Sequence, residues 1–317
     1  MSDRLMTRRE VLVAAAGAVL TLPRALRAKA SQPSTPVNFA MPAGACDCHT
    51  HIHGDPQRFP FYSGRVYTPE TALPEEMTTL HAALKVQRVV IVTPSVYGTD
   101  NSATLYGMRA RGADARGVAV IDASTPERAL DEMHRAGVRG IRLNLATAGI
   151  NDPSAGRQRL QDAIARVSRR NWHVQINTNL AMIAAIKDMV VGASVPIVFD
   201  HFGGAQAQLG VEQPGFADLI ELVRSGRAYV KISGAYRSST GAPDYADVVP
   251  LARALIAANP DRVVWGTDWP HPNLKSHMPD DGKLVDLIPS IAPSPELRRA
   301  LLVDNPMRLY WSRQESR

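Results

Sequence analysis

The chain is poor in cysteine: of its 317 residues only Cys46 and Cys48 are cysteines. In an extended strand, residues two apart project from one face about 6.6–7 Å apart with parallel side chains, so a bridge between them would distort the strand. A disulfide framework is thereby excluded, and the pair reads as two small buried hydrophobes. No internal repeat or low-complexity tract occurs, and scattered glycines and prolines exclude collagen-like and coiled-coil chains. With 45% hydrophobic and 21% charged residues, disorder is excluded and a large core is affordable. Net positive charge is scarcer than the formal +6 suggests, because residues 1–30 hold six Lys/Arg against two Asp/Glu and carry +4 of it. The remainder has no basic cluster interleaved with aromatics, so nucleic-acid binding is not supported.

No charged residue lies between Val11 and Pro23, which leaves no polar face for an ordinary amphipathic helix. The apolar stretch is roughly a dozen residues where a bilayer needs about 20, so no stable membrane span is expected. Arg8-Arg9 precede it and Ala28-Lys29-Ala30 follow it. That order matches a secretory leader of the twin-arginine type, read by the export machinery and removed to leave Ser31 first, in the periplasm. The expected organisation is a signal peptide over 1–30, a Pro/Ser-rich linker over 31–43, and one domain over 44–317.

Eight short β-branched runs follow: Ala45–His49, Val89–Val92, Gly117–Ile121, Gly140–Leu143, His173–Ile176, Pro196–Phe199, Ala228–Ile232 and Val263–Gly266. Helix-compatible segments lie between them, such as 124–136 with Ala129, Met133 and Ala136 on one face, and 157–169 with Leu160, Ile164 and Val167. Runs apolar almost throughout and separated by helices indicate parallel strands buried on both faces, the pattern of a (β/α)8 TIM barrel. A doubly wound sheet is the alternative, but it wants a glycine-rich phosphate loop after its first strand. The chain has Asp47-Cys48-His49-Thr50-His51-Ile52-His53 there.

Catalytic groups of a barrel sit at the carboxyl ends of its strands. Strand one ends in His49 and His51, expected inward, with Cys46 and Cys48 outward. Strand four brings Arg142 and Asn144, strand six Asp200-His201, strand seven Tyr236-Arg237, and strand eight Gly266-Thr267-Asp268. A single His or Asp at a strand end is often structural; their meeting at one rim is harder to dismiss. His53 and His271 read as loop hydrogen bonders, while His81, His134, His173 and His277 read as surface or scaffold.

His-x-His on strand one, His201 after strand six and Gly266-Thr267-Asp268 after strand eight resemble the amidohydrolase superfamily. More narrowly, Tyr67-Thr68-Pro69, Gly140-Ile141-Arg142, Asp200-His201 and Asp268-Trp269-Pro270 resemble its branch of 2-pyrone-4,6-dicarboxylate lactonases and related lactone hydrolases. The resemblance implies a lactonase acting on a small anionic lactone of aromatic catabolism. Asp268 would be the general base for water, and His49, His51 and His201 would polarise the carbonyl directly or through a metal. Arg142 and Arg237 would bind the substrate's anionic groups, with ion pairs to inward acids as the alternative use of both. Tyr67, Tyr236 and Asn177 complete the substrate-binding set.

Binuclear members of that superfamily add a carboxylated lysine or glutamate at strand four and a histidine at strand five; Arg142, Gln175 and Asn177 stand there instead. A guanidinium cannot be a ligand and repels a second cation. The resemblance therefore implies hydrolysis without an essential metal, or alternatively one Zn2+ held by His49, His51, His201 and Asp268. The branch's further arginine beyond strand four and aromatic hydroxyl after strand five are replaced by 146–149 (Ala-Thr-Ala-Gly) and Asn177. That favours a muconolactone or 4-sulfomuconolactone over the pyrone dicarboxylate. A metal-dependent decarboxylase of an aromatic acid and a non-catalytic periplasmic binding barrel are the competing readings.

Overall fold

The computed structural model describes residues 30–274 and 277–312; the expected leader, Ala30 apart, lies outside them. All eight expected strands form: β1 Cys46–Thr50, β2 Arg88–Val92, β3 Ala115–Ala119, β4 Val138–Asn144, β5 His173–Asn177, β6 Ile197–Phe199, β7 Ala228–Ser233 and β8 Val263–Gly266. They pair in parallel in chain order within one eight-stranded sheet. Closure falls at the carboxyl ends, where Thr50 bridges Trp269 and where His51 N donates to Trp269 O and Asp268 N to His49 O, both at 2.8 Å. The architecture is the (β/α)8 TIM barrel that the strand count implies.

Two boundaries differ from the sequence reading for identifiable reasons. β3 leaves the sheet at Ala119, two residues early, because Val120 N donates to Asn101 Oδ1 at 2.8 Å rather than to the ladder. The third outer helix starts at Glu127 after Pro126, since Ser124 and Thr125 are held in a turn by Asp122 Oδ1. It buries Leu130 and Met133 rather than an Ala129 face. The helix Pro153–Val167 is capped by Asp152, which accepts from the amides of Ser154 and Ala155, and it buries Leu160, Ala163 and Val167 on the sheet.

Cys46 and Cys48 do not face outward. They are free thiols with Sγ atoms 3.7 Å apart, packed among Val90, Val92, Val118, Val264 and Tyr310 in a cluster separate from the main core. Asp47 takes the outer face, where it meets His81 of the helix Pro74–Leu84. The strand parity is broken by an irregularity in the β1–β2 register between Asp47 and Thr50. A bulge of this kind lets both Cys48 and His49 enter the lumen although they are consecutive.

Residues ahead of β1 run as coil against the barrel. Trp269 Nε1 donates to Ser31 O at 2.8 Å, and the Ser34 and Thr35 hydroxyls each donate to Asp280 Oδ2 at 2.6 Å. Among the described residues, no helix is long and apolar enough to cross a membrane.

Candidate active site

The β1 bulge and the β8 end are tied together from behind by Asp47. Its Oδ1 accepts from His49 N (3.1 Å) and Thr267 N (3.0 Å), and its Oδ2 from Thr267 Oγ1 (2.5 Å). His49 and Asp268 are thus placed by one buried carboxylate that belongs to neither side of the chemistry. Gly266 makes room for this seam: a Cβ there would stand 2.7 Å from His49 N and 2.8 Å from His49 Cβ.

Three imidazoles stand around Asp268, each with Nδ1 within 3.2 Å of an oxygen, although His49 Nδ1 and Asp200 Oδ1 meet without regular hydrogen-bond geometry. His51 Nδ1 lies 2.7 Å from Val92 O, His201 Nδ1 lies 3.2 Å from Ser233 O, and His49 Nδ1 lies 3.2 Å from Asp200 Oδ1. Carbonyl and carboxylate oxygens only accept, which puts a hydrogen on Nδ1 of His51 and His49; His201 Nδ1 also lies 3.0 Å from the Ser233 hydroxyl, which can donate to it, so either tautomer of His201 finds a partner. His49 Nε2 and His51 Nε2 stand 3.6 and 3.4 Å from Asp268 Oδ1. His49 Nε2 and Asp268 Oδ1 are buried without a hydrogen-bond partner, and ligand atoms of His49, His201 and Asp268 lie within 4.8 Å of one another. Acceptors gathered without a donor are the donor set a cation needs, and imidazole nitrogens with one carboxylate oxygen suit Zn2+. Burial pushes His49 well below the usual imidazole range and His201 down to about 4.

Asp268 sits at φ 65° and is fully buried. Its Oδ2 accepts from Arg237 Nε and from the Tyr236 hydroxyl. Burial by itself pushes the Asp268 carboxyl up, but the Arg237 guanidinium and the neighbouring imidazoles hold it well below the usual range. Arg142 Nε donates to Asp200 Oδ2 at 2.8 Å. Both arginines therefore make the ion pairs with inward acids that the sequence reading held as the alternative, through Nε, and both still line the enclosed cavity at the mouth. That cavity, about 50 Å³, is also lined by His51, Tyr67, Asn177 and His201. Asn177 Nδ2 donates to Thr147 Oγ1 at 3.0 Å, which gives a neutral polar wall where an anion anchor was missed in the sequence. Burial pushes the Tyr67 phenol up even with Ser95 and both guanidiniums beside it. Tyr236, partly exposed, spends its hydroxyl on Asp268 Oδ2 and is not among the residues lining that cavity. Alongside, and sharing Ser95 and Thr147 with the cavity, runs an open groove of about 690 Å³.

The remaining histidines divide as follows. His271 Nε2 lies 3.2 Å from Asp281 Oδ2, His81 supports Asp47, and His134 Nδ1 accepts from Trp172 Nε1. His53 and His173 are buried with both ring nitrogens unpartnered. Asp47, Asp200 and Gln175 were named from the sequence without being given a role, and Lys231 was passed over. Asp200 directly precedes His201, and Lys231 is a charge inside an otherwise apolar strand run; each was a usable signal.

The amidohydrolase family model matches residues 46–311. The chain belongs to the amidohydrolase family. Within that family it is 40% identical over 290 residues to a 2-pyrone-4,6-dicarboxylate hydrolase of Comamonas testosteroni, covering 89% of this chain and 94% of the relative. It is 37% identical over 286 residues to a 4-sulfomuconolactone hydrolase of Hydrogenophaga intermedia, covering 87% and 91%. A solved Pseudomonas putida amidohydrolase, described as a candidate 2-pyrone-4,6-dicarboxylic acid hydrolase, superposes with a TM-score of 0.74 at 32% identity over 86% of this chain and 98% of that one.

Proposed function

We propose that the protein hydrolyses the lactone ring of a small anionic substrate of aromatic catabolism, of the muconolactone, 4-sulfomuconolactone or 2-pyrone-4,6-dicarboxylate type. The observation that carries this reading is one carboxylate oxygen, Asp268 Oδ1, buried without a hydrogen bond beside three imidazoles at a mouth lined by two guanidiniums. The likeness to lactone hydrolases over nearly the whole chain supports it. Water adds to the lactone carbonyl carbon while Asp268 Oδ1 takes its proton; the ring C–O bond then breaks, and the proton passes to the departing ring oxygen. Arg237 and Tyr236 at Oδ2 hold the carboxylate ionised and turned so that Oδ1 faces the cavity. The end of the Arg142 fork, and Nη1 of Arg237, whose Nη2 donates to Pro272 O at 3.1 Å, pair with carboxylate or sulfonate groups. The enclosed cavity has space for little more than a water or two, at roughly 30 Å³ each, and the adjoining groove supplies room for the ring.

The cluster of His49, His201 and Asp268 could hold one divalent cation, with His51 Nε2 3.4 Å from Asp268 Oδ1 beside it. Such a cation would polarise the carbonyl and acidify the water. Elemental analysis of purified protein should find about one zinc per chain; a fully active protein without metal returns the reading to hydrolysis with no essential metal. The substrate reading is tested by following ring opening of 4-sulfomuconolactone and of 2-pyrone-4,6-dicarboxylate spectroscopically. Turnover of neither, with decarboxylation of an aromatic acid instead, would overturn it.

We also propose that residues 1–30 direct export and that the mature protein starts at Ser31. Replacing both Arg8 and Arg9 by lysine should retain the protein in the cytoplasm, read by cell fractionation.

A further inference from the structure

Lys231 is fully buried in the middle of β7, and neither the hydrolytic reading nor the cation cluster uses it. Its Nζ donates to Cys48 O at 2.8 Å and to Gln175 Oε1 at 2.7 Å. It stands 3.9 Å from Asp200 Oδ1 and 5.9 Å from the centre of the Tyr310 ring. β7 pairs only with β6 and β8, so contacts with β1 and β5 mean that the side chain crosses the lumen. A lysine kept inside a barrel is costly unless it meets acceptors that would otherwise be orphaned.

Both of its hydrogen-bond acceptors lead to His49. The Cys48 carbonyl belongs to the peptide that enters His49, at the irregularity between Asp47 and Thr50. A bulge takes such a group out of the regular ladder, and the lysine gives it a donor. The second acceptor fixes the Gln175 amide: with Oε1 on Nζ, its Nε2 points to Asp200 Oδ2 at 3.0 Å. Asp200 Oδ1 in turn faces His49 Nδ1 at 3.2 Å. Arg142 holds Asp200 Oδ2 from the mouth side, and Lys231 closes the arrangement from below.

We propose that Lys231 is a positioning residue for His49, clamping it at two points: the backbone through Cys48 O and the ring through Gln175 and Asp200. Without the ammonium, the bulged peptide and the Gln175 amide are each free to turn, and the His49 Nδ1 hydrogen loses its fixed acceptor.

The test is proton NMR of full-length protein labelled with 15N-histidine, with the His49 ring signal assigned from a His49→Asn control. In the wild type the His49 Nδ1 hydrogen should be a single, slowly exchanging resonance. In Lys231→Met it should exchange with water at least about tenfold faster or be lost, with the protein still folded by circular dichroism. Should the methionine variant not fold, Lys231→Gln, which keeps a donor for one acceptor but cannot reach both, is read in the same way. A folded variant of either kind with an unchanged His49 resonance and exchange rate overturns the proposal. The readout needs no substrate, so it stands or falls separately from the lactonase reading.

Discussion

On the proposed reading Asp268 carries two duties through two oxygens: Oδ2 is spent on Arg237 and Tyr236, and Oδ1 is left for the reacting water. Asp268→Asn keeps the shape and removes the base, so turnover should fall by about 10²–10⁴-fold or more while binding of the ring-opened product persists. Steady-state kinetics paired with calorimetry checks this, and unchanged hydrolysis would remove Asp268 from the base role. Arg142 faces two ways as well, with Nε on Asp200 and the rest of the fork on the cavity. Arg142→Lys retains the charge but cannot serve both, and KM for an anionic lactone should rise by roughly 10- to 100-fold. An unchanged KM would mean that the Asp200 pair is its whole role.

At the scale of strands, the decisive element is the β1–β8 junction, where Gly266 lets two backbones approach. Gly266→Ala places a methyl against His49 N and Cβ, and backbone cannot give way as a flexible side chain can. The expected result is a loss of about 1–3 kcal/mol in denaturant unfolding, together with a fall in activity larger than the stability loss explains. What the sequence made legible follows the same division. Hydrophobic runs and their spacing were enough for eight strands and their order, and residues at strand ends were enough for His49, His51, His201 and Asp268. The bulge was not legible, because a register shift is decided between β1 and β2 and leaves no mark in either run alone; a strictly alternating strand put Cys46 and Cys48 on the wrong face. Lys231, Gln175 and Asp200 escaped for a related reason. Their meaning lies in distances across the lumen, and periodicity along one strand cannot report those.

For the molecule as a whole, buried histidines weaken the fold in acid: His49 and His201 of the site, and also His53 and His173. Burial pushes both His53 and His173 down to about 3, while an unfolded imidazole takes its proton near about 6.5. Across that window the unfolded state binds more protons than the folded state. Stability is therefore full above about 6.5 and is lost progressively as pH falls toward about 3. Urea midpoints should be lower at about pH 5 than at about pH 7.5, and His173→Leu should flatten the difference; equal midpoints would contradict the assignment.

The barrel is sewn shut at the residues proposed to do its chemistry: Asp268 N donates to His49 O, and Asp47 reaches Thr267, 220 positions along the chain. Such distant contacts form late and cannot be anticipated by local structure. A nascent chain still emerging from the ribosome has strands and imidazoles but no base, since Asp268 arrives with the last strand's exit and finds its place only as the ring closes. Catalytic competence is thus withheld from every partial product of synthesis and conferred in the same event that completes the fold.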